Sequence, residues 1–133
     1  MDKFNKLFVA GAFDSFHMGH QFFLWKASSM CKELVVVVAR DETIKRIKNK
    51  TPKYSEEKRL QRIKEENLFN AKIRLGREDA NFVVTLKEEN PDVLLLGYDQ
   101  KFDEKKGRES FPNLIILRAD SFAPDFFKSS KFD

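Results

Sequence analysis

The chain has 133 residues, of which 41% are hydrophobic and 35% are charged, and its net charge is +4. This composition excludes a disordered tail. Since no apolar run reaches roughly 18 residues, a membrane-spanning helix is excluded as well. The length fits one domain over residues 1–133. The basic balance suits an anionic ligand, but the 25 lysines and arginines alternate with 21 acids, so we expect neither nucleic acid nor a membrane as partner. The first residues lack the pattern of a signal peptide, which predicts a cytoplasmic protein.

Five apolar runs predict the strands of a sheet. In chain order they are Leu7–Ala10, Leu34–Ala39, Ala71–Leu75, Asp92–Leu96 and Asn113–Leu117. The second run is apolar at every position and rich in β-branched residues, which is typical of a strand that is buried on both faces. The third run carries two cations and favours an edge strand.

Helical patterns lie between these runs. They are Gly19–Lys32, a short basic segment that begins at Asp41, a helix that Ser55 caps, and Asp79–Glu89. Ser55 is followed by two glutamates, the usual composition of a capped first turn. Strands that alternate with helices of this length predict βαβ units, and therefore an α/β, Rossmann-like domain with a parallel sheet. Ligands of such sheets bind beyond the carboxyl ends of the strands.

The segment Gly11–His20 carries the strongest signal for chemistry. It follows the first predicted strand and opens the first predicted helix, where free backbone amides and the positive end of the helix dipole suit a phosphate group. Gly11 lets a ligand approach the backbone closely, and Gly19 keeps the helix start free of side-chain bulk. We expect Asp14 to brace this loop by accepting backbone amides, or to orient a histidine.

Both histidines of the chain, His17 and His20, fall within this segment. They are three residues apart across the first turn of the helix, so they can face the same side and donate to the same phosphate oxygens. A zinc site is the weaker interpretation, because the single cysteine, Cys31, lies elsewhere and two imidazoles with one aspartate would have to serve. We therefore expect no metal held by the protein itself.

These residues resemble a known signature. Gly11–Asp14 followed by His17–His20 is similar to the G-T-F-D-x-x-H-x-G-H signature of the cytidylyltransferase-like nucleotidyltransferases. The resemblance covers nearly the whole chain and implies a five-stranded parallel sheet of order 3-2-1-4-5 with helices on both faces. It also implies an enzyme that joins a nucleoside triphosphate, ATP or CTP, to a phosphorylated small molecule and releases pyrophosphate, with Mg²⁺ on the triphosphate. Ala12 departs from the family's threonine, so a hydroxyl contact is lost while a backbone contact remains.

The resemblance further implies roles for individual residues. His17 and His20 would stabilise charge on the α-phosphate and on the leaving pyrophosphate, and Lys48 and Arg118 would complete the catalytic set. The implied nucleotide-binding residues are Gly11, Ala12, Phe13, Asp14, Met18, Gly19, Lys50, Arg59, Gly97, Asp99, Gln100, Ser129 and Ser130.

Several of these roles have plain alternatives. Lys48 and Lys50 could equally be solvated charges on a basic loop. Arg59 and Arg118 could equally be surface residues, and Asp99 could instead begin a helix.

The segments Gly97–Gln100 and Ala39–Asp41 resemble most the archaeal-type FAD synthetases, which transfer AMP from ATP to FMN. The runner-up is a CTP-dependent cytidylyltransferase of glycerol 3-phosphate or of another polyol or sugar phosphate. A nucleotide-binding module without turnover is the alternative from another class. Because family members commonly pair, the resemblance also allows a homodimer.

Overall fold

The computed structural model describes residues 3–97, 100 and 102–119. Strands and helices alternate through these residues. In chain order they are β1 (Phe4–Gly11), α1 (Met18–Ser29), β2 (Cys31–Val38), α2 (Asp41–Lys48), α3 (Glu56–Lys64), β3 (Ala71–Leu75), α4 (Phe82–Glu89), β4 (Val93–Leu96), α5 (Glu104–Ser110) and β5 (Ile115–Arg118).

The strands form one parallel sheet of order β3-β2-β1-β4-β5, which confirms the predicted architecture and the predicted edge position of β3. The central strand β1 pairs with β2 from Phe4 to Gly11. With β4, the described pairs are Leu7 with Val93 and Phe8 with Leu94. The carboxyl ends of β1 and β4 are therefore not joined by the ladder, and this is where a ligand crevice is expected in such a sheet.

Helices cover both faces of the sheet. On one face, Leu7 and Val9 of β1 pack in a cluster with Leu24 of α1 and Ile63 of α3. On the other face, the intervening Phe8 packs in a cluster with residues of α4. Alternate residues of β1 thus enter opposite layers, as the two-residue period of a strand requires. None of the described helices is both long enough and apolar enough to cross a membrane.

The strand bounds differ from the predictions by one to three residues at several ends, and three differences concern the helices. Helix α1 ends at Ser29, so Cys31 begins β2 instead of lying in the helix. Helix α4 begins at Phe82, because the side chain of Asn81 caps it by accepting the amide of Val84. Helix α5 was not predicted. The predicted cap of α3 is confirmed, since Ser55 accepts the amide of Lys58.

Candidate active site

The loop after β1 enters α1 through His17. This residue is the N-cap of the helix: its backbone is extended (φ −137°, ψ −177°) and its Nδ1 accepts the amide of Gly19 at 3.0 Å. Because Nδ1 is an acceptor here, the neutral imidazole carries its proton on Nε2. The capping bond therefore fixes both the ring position and the tautomer, and it makes Nε2 the donor of this side chain.

The two histidine rings stack. The centroids of His17 and His20 are 4.1 Å apart with an interplanar angle of 19°. His20 also stacks on Phe16 at 5.7 Å and meets Phe13 edge-to-face at 5.5 Å. The sequence-based expectation that both imidazoles lie on one side of the first turn agrees with this arrangement. Surrounding rings lower the local dielectric, which strengthens a hydrogen bond from either imidazole to an anion.

Phe13 shapes the start of this loop. It adopts a left-handed backbone (φ 52°) and is buried, an uncommon conformation for a residue with a bulky side chain. A Cβ on Gly11 would lie 3.1 Å from the Phe13 ring. The glycine therefore makes room for the aromatic ring that contacts His20. The sequence-based prediction that Gly11 makes room for a ligand is therefore not what this contact shows.

Asp14 braces the loop from the side of α3. Its Oδ2 accepts the amide of Lys53 at 2.7 Å and its Oδ1 accepts the amide of Tyr54 at 2.9 Å. The expectation that this carboxylate accepts backbone amides is confirmed. These two hydrogen bonds attach the loop of residues 12–17, called the histidine loop below, to the segment that leads into α3.

Arg59 differs from its prediction. Its side chain is 0% exposed, and it donates to the carbonyls of Ala12 (2.9 Å), Ala39 (2.6 Å) and Tyr54 (3.0 Å) and to Asp41 Oδ1 (2.7 Å). With no exposed surface, the guanidinium cannot bind a phosphate in this structure. It is a buried link between loops, and neither the predicted ligand contact nor the surface alternative describes it.

Lys48 and Lys50 lie at the carboxyl end of α2, where Asn49 ends the helix in the left-handed region (φ 54°). Both are exposed, and neither forms an ion pair or hydrogen bond with another described residue. No described contact links them to the histidine pair. Their role as phosphate clamps stays a prediction.

The loop after β4 is tied to the end of β1. Gln100 accepts the amide of Gly97 at 3.0 Å and donates to the carbonyl of Ala10 at 3.4 Å. Arg118 donates to the carbonyl of Gly97 at 3.0 Å and forms an ion pair with Glu104 at 3.4 Å. The structure thus brings together three predicted residues, with Arg118 holding the loop. Its predicted catalytic contact stays a prediction, and the predicted Asp99, Ser129 and Ser130 lie outside the described residues.

A second network around the site was missed from the sequence. Glu56 accepts the amide of Asp41 at 2.8 Å and pairs with Arg40 at 3.2 Å, while Arg40 Nε donates to the carbonyl of Gly76 at 2.7 Å. These bonds hold the starts of α2 and α3 together. The acids in the first turns of both helices were visible, but their partners lie on other segments, so spacing alone could not identify them.

Positive charge is concentrated beside the histidine loop. Residues 43–64 contain nine lysines and arginines and two glutamates, whereas the rest of the chain carries sixteen against nineteen acids. Lys58 Nζ and the Arg62 guanidinium lie 4.9 and 4.8 Å from the Tyr54 ring centroid. Because Asp14 binds the Tyr54 amide, this basic face adjoins the loop that carries His17. The arrangement suits an anionic ligand at the carboxyl ends of the strands.

The sequence of this chain is similar to a known family and to proteins of established function. The sequence profile of the family described as Cytidylyltransferase-like matches residues 8–129. An FAD synthase of Aciduliprofundum boonei is 42% identical over 105 residues, which are 78% of this chain and 68% of the relative.

Two solved structures share the fold. A lipopolysaccharide core biosynthesis protein from Thermoplasma volcanium superposes with a TM-score of 0.79 at 34% identity, covering 90% of this chain and 98% of that one. A bifunctional NMN adenylyltransferase/ADP ribose pyrophosphatase from Francisella tularensis gives a TM-score of 0.61 at 15% identity, covering 90% of this chain and 38% of that one.

Proposed function

The chain belongs to the cytidylyltransferase-like family of nucleotidyltransferases, and from this membership we propose that it transfers AMP from ATP to FMN, forming FAD and pyrophosphate. The observation that carries the proposal is the stacked His17–His20 pair at the start of α1, directly after the central strand. The choice of ATP and FMN rests on the relatives named FAD synthase.

In this reaction a phosphate oxygen of FMN attacks the α-phosphorus of ATP. A new P–O bond forms as the bond between the α-phosphorus and the bridging oxygen of the β-phosphate breaks, and pyrophosphate leaves with the electron pair. The attacking oxygen is already anionic, so no general base is required. Catalysis then consists of alignment and of preorganised positive charge, and alignment alone supplies up to roughly 7–11 kcal/mol.

The first turn of α1 supplies the donors for this charge. We propose that the amides of the helix start and the imidazoles of His17 and His20, which stack on the same side of the turn, donate to the α-phosphate. Lys48 and Lys50 are proposed to bind the leaving pyrophosphate, because long exposed ammonium side chains can follow a charge that moves away. Gly97 and Gln100 mark the end of β4, where we place the nucleoside.

Magnesium enters this proposal as part of the substrate. The triphosphate oxygens are hard ligands of the kind that Mg²⁺ prefers, and the ion there neutralises charge that develops on the leaving group. Among the described residues there is no group of three or more histidines, cysteines or acids that could hold a metal ion. In this proposal, the groups of the protein that stabilise charge during the transfer are backbone amides, the two imidazoles and the lysine and arginine side chains.

A sugar phosphate is the second acceptor to test, because the solved structure that is 34% identical is described as a lipopolysaccharide core biosynthesis protein. ATP and CTP are each offered with FMN, glycerol 3-phosphate or heptose phosphate, and pyrophosphate release is measured. We expect release with ATP and FMN, accompanied by FAD. Release with CTP and a sugar or polyol phosphate instead would replace the proposed substrates.

The histidine role is tested with His17→Asn. Asparagine still accepts the Gly19 amide as an N-cap but offers no donor at the position of Nε2, so the fold is retained. We expect kcat to fall roughly 10²- to 10³-fold, the usual loss when one donor to a developing charge is removed. Lys105→Gln, on the exposed face of α5, is the control and should keep the wild-type rate. An unchanged rate in His17→Asn would contradict the mechanism.

A further inference from the structure

We propose that Arg59 is a positioning residue that sets the histidine loop against α2 and α3 without touching substrate. The inference rests on the proposed nucleotidyl transfer for its kinetic consequences. Its geometric basis is independent of that reaction, because it lies in the contacts of one buried side chain.

The guanidinium of Arg59 joins three separate segments of the chain. Nη1 donates to Ala12 O in the histidine loop and to Ala39 O after β2, and Nε donates to Tyr54 O before α3. All three carbonyls lie beyond the carboxyl ends of the strands, at the edge of the sheet where ligands bind. These bonds therefore add nothing to the hydrophobic core, and they determine where the loops around the site lie.

Asp41 completes the link by neutralising the buried cation. Its Oδ1 lies 2.7 Å from Arg59 Nη2, and it is the first residue of α2, the helix that carries Lys48 at its other end. A buried charge without a partner is strongly destabilising, so Asp41 has to stay beside Arg59. The same guanidinium thus fixes both the histidine loop and the start of the basic helix.

Tyr54 is connected to the histidine loop by a second hydrogen bond, in addition to the one that it accepts from Arg59. The carbonyl of Tyr54 accepts from Arg59, while the amide of Tyr54 donates to Asp14. Asp14 lies in the histidine loop, three residues before His17. Tyr54 therefore donates one hydrogen bond and accepts another, and together the two hold the histidine loop against the segment before α3. When Arg59 is lost, Asp14 alone keeps this connection.

Arg59→Lys tests the proposal. Lysine keeps a cation beside Asp41, but one ammonium nitrogen cannot stand at the three positions from which the guanidinium nitrogens donate. We expect the loop to shift slightly and kcat to fall by roughly 10- to 100-fold, while KM for ATP changes less than about threefold. If Arg59 instead bound phosphate, KM for ATP would rise with the loss, and that result would overturn the proposal.

The two histidines provide a readout that needs no activity. With two imidazoles in the chain, NMR of the unliganded protein gives two Cε1–H signals, which His17→Asn assigns. We expect Arg59→Lys to shift at least one of them. Failure of the wild type to form FAD would refute the proposed function, whereas the imidazole signals would still test the positioning role.

Ile63→Val is the matched control, since Ile63 is equally buried on the same helix but packs in the core. It should lower the urea midpoint of unfolding slightly and leave kcat and both imidazole signals unchanged. Asp41→Asn keeps a hydrogen-bond acceptor for Arg59 but removes the counter-charge. Its kcat should therefore lie between that of the wild type and that of Arg59→Lys, and the protein should still fold. Wild-type imidazole signals and kcat in both Arg59→Lys and Asp41→Asn would reduce Arg59 to a structural residue and refute the proposal.

Discussion

Replacing Glu89 by glutamine is expected to loosen the attachment of α4 to the sheet. Glu89, the last residue of α4, is 3% exposed and accepts hydrogen bonds from three cations. The nitrogens of Arg74 and Lys72 lie 2.9 and 3.0 Å from Oε2, and that of Lys6 lies 3.3 Å from Oε1. Because Lys6 belongs to β1 and the other two to β3, one carboxylate ties α4 to two strands that do not pair with each other.

The size of the effect follows from how exposed the partners are. Hydrogen bonds to a charged group contribute roughly 1.5–3 kcal/mol, and exposed ion pairs roughly 0.2–1 kcal/mol. Lys72 is 54% exposed and regains water, and Arg74 keeps Glu88 at 3.2 Å. We therefore expect Glu89→Gln to lower the free energy of unfolding by about 2 kcal/mol, which corresponds to a drop in Tm of roughly 6–10 °C for a chain of this size.

The pH dependence identifies the charge as the cause. Burial alone would raise the pKa of the Glu89 carboxyl, but the hydrogen bonds from Arg74, Lys72 and Lys6 outweigh burial and hold the pKa below its usual value of 4.5. A group with a lowered pKa in the folded state stabilises the protein above its unfolded-state pKa, and this stabilisation is lost as pH falls through the folded-state pKa. The difference between wild type and Glu89→Gln should stay constant from about pH 7 to 5.5 and close below about pH 4.5.

Urea unfolding followed by circular dichroism at several pH values measures this difference. Glu78→Gln is the control, because Glu78 is exposed and forms no ion pair or hydrogen bond with another described residue. It should unfold like the wild type. Equal free energies of unfolding for wild type and Glu89→Gln at pH 7 would refute the reasoning. A difference that persists unchanged to about pH 3 would assign the loss to packing instead of charge.

Two further predictions concern α3 and β2. Ser55→Ala removes the side chain that accepts the Lys58 amide and should cost about 1 kcal/mol in urea unfolding, whereas Ser110→Ala at the exposed end of α5 should cost nothing measurable. Burial raises the pKa of the Cys31 thiol to about 11 from 9.0, so alkylation near pH 8 should be at least roughly 100-fold slower in the folded protein than in urea. Equal alkylation rates in the two states would show that Cys31 is accessible.

Much of the fold could be predicted because each strand contains a short segment rich in apolar residues. The run at β2 is apolar on both faces, and burial in the structure follows it: Leu34, Val35, Val36 and Val38 are 0% exposed. Helix α5 escaped prediction because its seven residues carry no apolar stripe and include Gly107. That glycine is buried against Phe102, where a Cβ would lie 2.7 Å from the ring, so packing and not composition explains its place.

The candidate site likewise contains one part that could be predicted from the sequence and one part that could not. The histidine pair could be predicted because its geometry is local: three residues across one helical turn decide it. The role of Arg59 could not be predicted, because its carbonyl partners at Ala12 and Ala39 are 47 and 20 residues away in the chain. Only the assembled sheet brings them to one guanidinium, and an arginine on a charged helix gives no sign of burial.

Gln100 has a consequence for the crevice between β1 and β4. A primary amide presents an acceptor and a donor side by side, as a peptide group does. Bound to Gly97 N and to Ala10 O, the side chain imitates a missing piece of main chain and adds one rung to the sheet where the two strands have stopped pairing. Glutamate at this position would leave the Ala10 carbonyl without that donor, and lysine would leave the Gly97 amide without that acceptor. Position 100 thus favours a side chain that ends in a primary amide, because only such a group offers both the acceptor and the donor that this position uses.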